Sequence, residues 1–426
     1  MGGTDSVSDR RKERAVLVGV VLGDEPEHET RESLDELGRL AGSAGAEETG
    51  RFVCRQNKVR PGYYIGTGKA AEIGAWAEEH PADTLVFDEN LSPVQGRNLE
   101  KATGLRVIDR TQLIMDIFAQ HARTREGQLQ VELAQLEYLL PRLRRMWTHL
   151  ERQKGGIGLR GPGETQIEMD RRRIQMQIKR LKRDLELVRR RRAEQRKGRK
   201  RGGWSLVSIV GYTNAGKSTL LNRLAGASVH ADSALFATLD PTIRRVELPG
   251  HEPVLLSDTV GFISKLPHSL VEAFKATLEE VVEADLLLHV VDASHPRAAD
   301  QARAVNEVLE ELGVGDKPVF CALNKIDRAE GRHRSRRLLR DLAPAAALSA
   351  RSGEGVETLK EALADRLRSS KTLVEMRIPI GEGRLIAELH RRGTVLEEAY
   401  DHDAARIKAR IPPDMRDDCA RFVTFS

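Results

Sequence analysis

Apolar runs of strand length alternate along this chain with stretches whose apolar residues recur at helical spacing, a pattern that predicts α/β units. Ala15 to Leu22 reads as a strand, Glu29 to Gly42 as an amphipathic helix and Glu47 to Gln56 as a second strand. Lys69 to Glu79 reads as a helix with Ile73 and Trp76 on one face, Thr84 to Asp88 as a buried strand, Ser92 to Thr103 as a helix and Arg106 to Asp109 as a strand. This order implies a small, mostly parallel sheet for an N-terminal α/β domain over 15–124, behind a polar tail, 1–14, expected to be disordered. Within it, Tyr64-Ile65-Gly66-Thr67-Gly68-Lys69 opens a helix. It is too short for an established glycine motif and reads as a structural turn or partner-contact loop ahead of a second phosphate site.

The period then changes. Leu129, Leu133, Leu136, Leu140, Leu143, Trp147 and Leu150 alternate spacings of four and three, a heptad seam that Pro141 should kink. A second seam runs through Ile174, Ile178, Leu181, Leu185 and Val188. Two such helices are expected to pack as an antiparallel hairpin over 125–203. Its tip would be GGIGLRGPGETQ, Gly155 to Gln166, with charge from Arg152, Lys154 and Arg160. A tip with so little side-chain bulk suits insertion into a narrow polyanionic cleft, and equally an ordinary mobile turn. The second helix should end near Lys197, with Gly198 to Gly203 as a linker. A domain over 204–370 follows. After it, Thr372 to Ile378, Thr394 to Tyr400, Ala404 to Ile411 and Arg421 to Phe425 read as strands, and Gly383 to Arg391 and Pro412 to Ala420 as helices. That β-α-β-β-α-β order is that of a small α+β ferredoxin-like C-terminal domain over 371–426.

Composition sharpens this picture at three points. A length of 426 residues fits about three domains. The net charge of +5 conceals an asymmetry: Arg171 to Arg201 holds 16 Lys/Arg against 3 Asp/Glu, net +13, which leaves −8 for the rest. A basic block in an otherwise acidic chain points to a polyanionic partner, nucleic acid or an anionic membrane surface, more than to a merely solvated helix face. Cys54, Cys321 and Cys419 lie far apart without any CxxC, so neither a disulfide framework nor a zinc site is expected and reduced thiols in a cytosol fit best. Arg10 to Arg14 followed by AVLVGVVLG imitates a signal peptide, but DEPEHE follows at once with no small-x-small cleavage site. No apolar run approaches the ~18 residues a membrane helix needs.

The chemistry gathers at Gly211-Tyr212-Thr213-Asn214-Ala215-Gly216-Lys217-Ser218, which fits G-x-x-x-x-G-K-[ST]. An apolar strand, Leu206 to Val210, precedes it and a helix, Ser218 to Ala225, follows, the setting in which backbone N–H groups cradle a β-phosphate. Lys217 would reach the β- and γ-phosphates and Ser218 would ligate Mg²⁺. Val254 to Ser257 leads into Asp258-Thr259-Val260-Gly261, where Asp258 would hold Mg²⁺ through water and the Gly261 N–H would meet the γ-phosphate. Val319 to Leu323 ends in Asn324-Lys325-Ile326-Asp327. Asp327 can accept two hydrogen bonds from guanine, and as a buried carboxylate it would be left unpaired by adenine. Asn324 would brace the loop and Lys325 cover the base. Ala346 to Leu348 is a last strand, and Ser349-Ala350, with Arg351 next, would meet the guanine O6 through backbone N–H. Between loop and strand, Phe236-Ala237-Thr238-Leu239-Asp240-Pro241-Thr242 is the expected switch; Thr238 and Thr242 both qualify as its Mg²⁺ ligand. GTP or GDP with Mg²⁺ is thus the expected cofactor set.

Where many GTPases place a water-orienting Gln, this chain has Phe262, then Ile263. Neither can orient water, so slow hydrolysis by the isolated protein and completion of the site by a partner are expected.

These motifs together resemble the HflX family of GTPases over nearly the whole chain, from about Ala15 to Ser426. GGIGLRGPGETQ, FATLDPT, DTVGFI and NKID carry the resemblance most specifically, with YIGTGK and FDENLSPVQGRNLE in the first domain. The resemblance implies Thr238 as the switch Mg²⁺ ligand and a hydrophobic residue as normal at Phe262. With the motif residues, Lys217, Thr238 and Gly261 are the expected catalytic set. It also implies binding to the large ribosomal subunit and its rRNA through the basic hairpin, 152–201, and splitting or rescue of stalled ribosomes under stress. A cytoplasmic protein, in part peripheral to the membrane but without stable insertion, and monomeric, is expected. The rival reading is a regulatory GTP switch whose hairpin binds protein partners or an anionic membrane.

Overall fold

The computed structural model describes residues 12–146, 162–201, 204–226, 236, 242–250, 252–265, 270, 278–411 and 415–425. The chain forms two compact units, one reaching Leu185 and the other starting at Glu186.

The first unit opens with β1 (Arg14–Leu22), α1 (Glu27–Ser43), β2 (Glu47–Gln56), α2 (Thr67–Glu79), β3 (Thr84–Phe87), α3 (Pro93–Thr103), β4 (Arg106–Asp109) and α4 (Arg110–His121). The strands make a parallel sheet in the order β2-β1-β3-β4. β1 is central and buried from Ala15 to Val21, which is why it reads as a continuous apolar run rather than an alternation. Ser92 caps α3 in a reciprocal capping box with Gln95, and Pro93 occupies the first turn, where its missing N–H costs nothing.

α4 is not foreseen by the sequence reading. It follows β4 with no turn between, because Asp109 serves both as the last strand residue and as the cap that accepts from the Gln112 N–H at 2.9 Å. Its Arg110 is buried, donating to Asp88 at 2.6 Å and to Glu36. Removing one partner of such a network leaves a charge uncompensated in low dielectric. Asp88→Ala is therefore expected to destabilise this unit by about 3–5 kcal/mol, read as a lowered urea midpoint.

α5 (Arg125–Met146) and α6 (Pro162–Arg201) form the helical hairpin. Leu129, Leu133, Ile178, Leu181 and Leu185 are buried along the two seams. Gln177 donates to Glu132 at 2.7 Å and Lys182 pairs with Glu137 at 2.8 Å. α5 continues through Pro141. Two expectations are corrected. The last five residues of the glycine-rich stretch, from Pro162, already belong to α6, since proline is tolerated in a helix's first turn. α6 also runs past Gly198 to Arg201 where a linker was expected; one glycine costs about 1 kcal/mol, too little to stop a helix rich in Arg, Lys and Gln. The remainder of the expected tip, 155–161, and Trp147, Leu150, Arg152 and Lys154 lie outside the described residues, as does 1–11 of the expected tail.

The second unit holds β5 (Ser205–Gly211), α7 (Lys217–Leu224), β6 (Thr242–Leu248), β7 (Glu252–Asp258), α8 (Glu279–Glu283), β8 (Leu286–Asp292), α9 (Ala298–Glu311), β9 (Val319–Asn324), α10 (Ala329–Asp341), β10 (Ala345–Ala347) and α11 (Val356–Ser370). The six strands run in the order β10-β9-β8-β5-β7-β6, parallel except for β6 against β7. No motif announces β6 or β8. Val207, Ile209, Leu256, Leu288 and Ala322 face Leu220 and Leu221 of α7 and Leu359 and Leu363 of α11 in one core. β5 lies centrally, so the loop after it opens at the carboxyl edge of the sheet, where ligands bind in open α/β sheets.

The chain ends with β11 (Thr372–Pro379), α12 (Gly383–Arg392), β12 (Thr394–Tyr400), β13 (Ala404–Ile411), α13 (Arg416–Cys419) and β14 (Val423–Phe425). The antiparallel order β12-β13-β11-β14 completes the ferredoxin-like α+β arrangement. Val374, Met376 and Ile378 alternate inward from β11, as one buried face of a sheet requires. All three cysteines are free and buried. Among the described residues no helix is long and apolar enough to cross a membrane.

Candidate nucleotide-binding site

β5 ends at Gly211 and α7 starts at Lys217, so Tyr212 to Gly216 must turn the chain within five residues. Two glycines permit it. Gly211 has φ +150° and a Cβ there would run into the Val290 carbonyl; Gly216 has φ +98° and a Cβ would run into the Asn324 side-chain amide. The amides of this turn and of the first turn of α7 carry the positive end of the helix dipole.

Lys217 is 6 % exposed, and its Nζ donates to the carbonyls of Gly211 at 3.0 Å and Tyr212 at 2.9 Å. Burial pushes its pKa down to about 8, with Asp258 pulling the other way. His289, on β8, is also buried; desolvation first and the Lys217 charge second push it down to about 4, so it is neutral.

The sheet brings Ser218 and Asp258 together across 40 residues: the Ser218 Oγ donates to Asp258 Oδ2 at 2.7 Å. The Thr259 N–H fixes the other carboxylate oxygen at 3.0 Å, and its hydroxyl donates to the Ile209 carbonyl at 2.7 Å. Val260 and Gly261 follow, buried. Among the described residues no group of three His, Cys, Asp or Glu is placed to hold a metal ion. A cation beside Ser218 and Asp258 would take one hydroxyl, one carboxylate and oxygens from a ligand, a hard-oxygen set that suits Mg²⁺.

Asn324 ties the two ends of the site. Its Nδ2 donates to the Ala215 carbonyl at 2.8 Å and its Oδ1 accepts from the Ala350 N–H at 2.9 Å. The Ala350 amide thus faces Asn324, on the loop that the sequence reading sets at the guanine O6. Lys325 reaches the Asn214 carbonyl and Asp292, both at 2.7 Å. Ile326 is buried. Asp327 is exposed rather than buried, because the chain leaves the sheet at Asn324; its Oδ1 accepts from the Ser349 Oγ at 2.8 Å. Arg223 of α7 secures this corner by donating to the carbonyls of Ala350 and Arg351.

Of the expected switch, Phe236 is buried at φ 59°, while Ala237, Thr238, Leu239 and Asp240 lie outside the described residues. Thr242 is the first residue of β6, opposite Asp258. Sequence reasoning passed over His289, Arg223 and Asp292. Only Asp292 had a readable signal, the strand-length run Leu286 to Val291, apolar but for His289, ending in an acid.

Three family models match the chain: "GTP-binding GTPase N-terminal" over residues 31–119, "GTP-binding GTPase Middle Region" over 121–199 and "50S ribosome-binding GTPase" over 206–325. The chain is 44% identical to GTPase HflX of Caldanaerobacter subterraneus over 418 residues, 97% of this chain and 94% of that protein. It is 46% identical to GTPase HflX of Escherichia coli strain K12 over 402 residues, 94% of each chain. A GTP-binding protein from Sulfolobus solfataricus, solved with GDP, is 25% identical at a TM-score of 0.43, covering 83% of this chain and 98% of that one.

Proposed function

The chain belongs to the HflX family of GTPases, and from that premise we propose that it hydrolyses GTP on the large ribosomal subunit, is activated there, and splits or rescues stalled ribosomes under stress. The observation that carries the site is the convergence of Lys217, Ser218 with Asp258, and Asn324 on the loop after β5, with Asp327 and Ser349 beside it. The loop amides and Lys217 bind the phosphates. Ser218 and Asp258 hold Mg²⁺ together with Thr238, and the bound ion neutralises phosphate charge. Asp327 takes the guanine N1–H and amino group; covered by the base, its carboxylate is desolvated and discriminates against adenine. With the Ala350 amide engaged by Asn324, the Arg351 amide is the donor for O6.

Phe262 and Ile263 are 3 % and 2 % exposed, so neither side chain reaches an attacking water. A group supplied in trans completes the reaction, and the basic face of α6 gives the partner, rRNA, its salt-sensitive grip. The protein acts as a cytoplasmic monomer, in part peripheral to the membrane. Turnover is expected to rise at least tenfold on adding large ribosomal subunits at low salt, with the stimulation fading as salt rises. Turnover unchanged by subunits but raised by anionic vesicles would favour a membrane-linked switch instead.

A further inference from the structure

The segment that follows Asp258 does not merely pass the phosphate loop; it is hydrogen-bonded onto it. The Phe262 N–H donates to the Gly211 carbonyl at 3.1 Å, and the Thr213 N–H donates to the Phe262 carbonyl at 2.7 Å. Tyr212 and Phe262 thereby form an isolated parallel bridge outside the named strands. A third bond uses a side chain: the Ser264 N–H donates to the Tyr212 Oη at 2.7 Å. Tyr212 is 6 % exposed, so its hydroxyl meets Ser264 from a buried side chain. The bridge brings Gly261 against the loop. A Cβ added there would lie 2.8 Å from Thr213 Cγ2 and 3.0 Å from Lys217 Nζ.

We infer that Tyr212 is a positioning residue for the third phosphate: its hydroxyl pins Ser264, and with it the Phe262 bridge, so that the Gly261 backbone is held beside Lys217. The inference rests on the GTP reading of this site. On that reading Gly261 meets the third phosphate, which GDP lacks, so the pin acts on GTP more than on GDP. It also gives Phe262 a role that needs no polar side chain. The residue contributes a backbone N–H and carbonyl, and its buried ring keeps water from those bonds.

Tyr212→Phe keeps the ring and removes only the hydroxyl. It is expected to weaken GTP binding about 3- to 10-fold more than GDP binding, the scale of one hydrogen bond. Fluorescent GTP and GDP analogues, titrated against the full chain, read the ratio. Hydrogen exchange over 261–265 is expected to quicken in the nucleotide-free variant. A general packing defect would weaken both nucleotides alike, and an unchanged GTP:GDP ratio with unchanged exchange would equally overturn the inference. Failure of the unsubstituted protein to bind either nucleotide would instead sink the GTP reading itself.

Discussion

Replacing Lys217 with alanine is expected to abolish guanine nucleotide binding at micromolar concentrations. The ammonium is buried and, among the described residues, is held by two carbonyls of its own loop. Two charge-assisted bonds to phosphate oxygens are each worth about 1.5–3 kcal/mol, so their loss weakens binding by about 10²- to 10⁴-fold. Titration with a fluorescent GDP analogue checks this, and affinity within threefold of the parent would sink the phosphate-loop assignment. The lowered pKa adds a pH signature. Burial holds Lys217 at about 8 against an ordinary 10.5. Between those values the unfolded chain carries more protons, so this residue's penalty on folding is full below pH 8 and is relieved as pH rises. Phosphate favours the ammonium. Binding above pH 8 therefore takes up a proton, and affinity falls as pH rises. Calorimetry at pH 8.5 in buffers of different ionisation enthalpy should detect that uptake, and its absence would place Lys217 away from the phosphates.

Asp327→Asn is expected to exchange guanine for xanthine. The carboxylate offers two acceptors to the guanine N1–H and amino group. Asparagine keeps one acceptor and presents an NH₂ to the guanine amino group, donor against donor. Loss of two charge-assisted hydrogen bonds predicts about 10²- to 10⁴-fold weaker GTP binding, while xanthine, with an oxygen in place of that amine, is accepted. Ser349 can still donate to the retained Oδ1, as it does to Asp327 at 2.8 Å, so the loop should keep its shape. Competition between GTP and XTP for a fluorescent analogue reads the switch. GTP binding that survives would remove Asp327 from the base site, and loss of both nucleotides would mean that the loop had collapsed.

The sequence by itself determined the phosphate loop and most of the elements around it. β2, β4, β12 and β13 have the limits that apolar periodicity predicts, and Gly211 and Gly216 adopt the positive φ that the motif demands. These are local properties, written in neighbouring residues: side-chain alternation, caps and turns. The tertiary structure decided the rest. α4 was hidden because Asp109 ends a strand and caps a helix at once. α6 outran its glycine because helix propensity summed over many residues outweighs one weak position. The roles of His289, Asp292 and Arg223, and the Tyr212–Ser264 bond across 52 residues, depend on strand order and register. Phe262 shows the difference most clearly. Its side-chain type announced a missing water-orienting group, but only the structure shows that its backbone bridges Gly211 and Thr213. Hydrogen bonds between distant backbone groups leave no trace in residue type, because every residue but proline carries the same donor and acceptor.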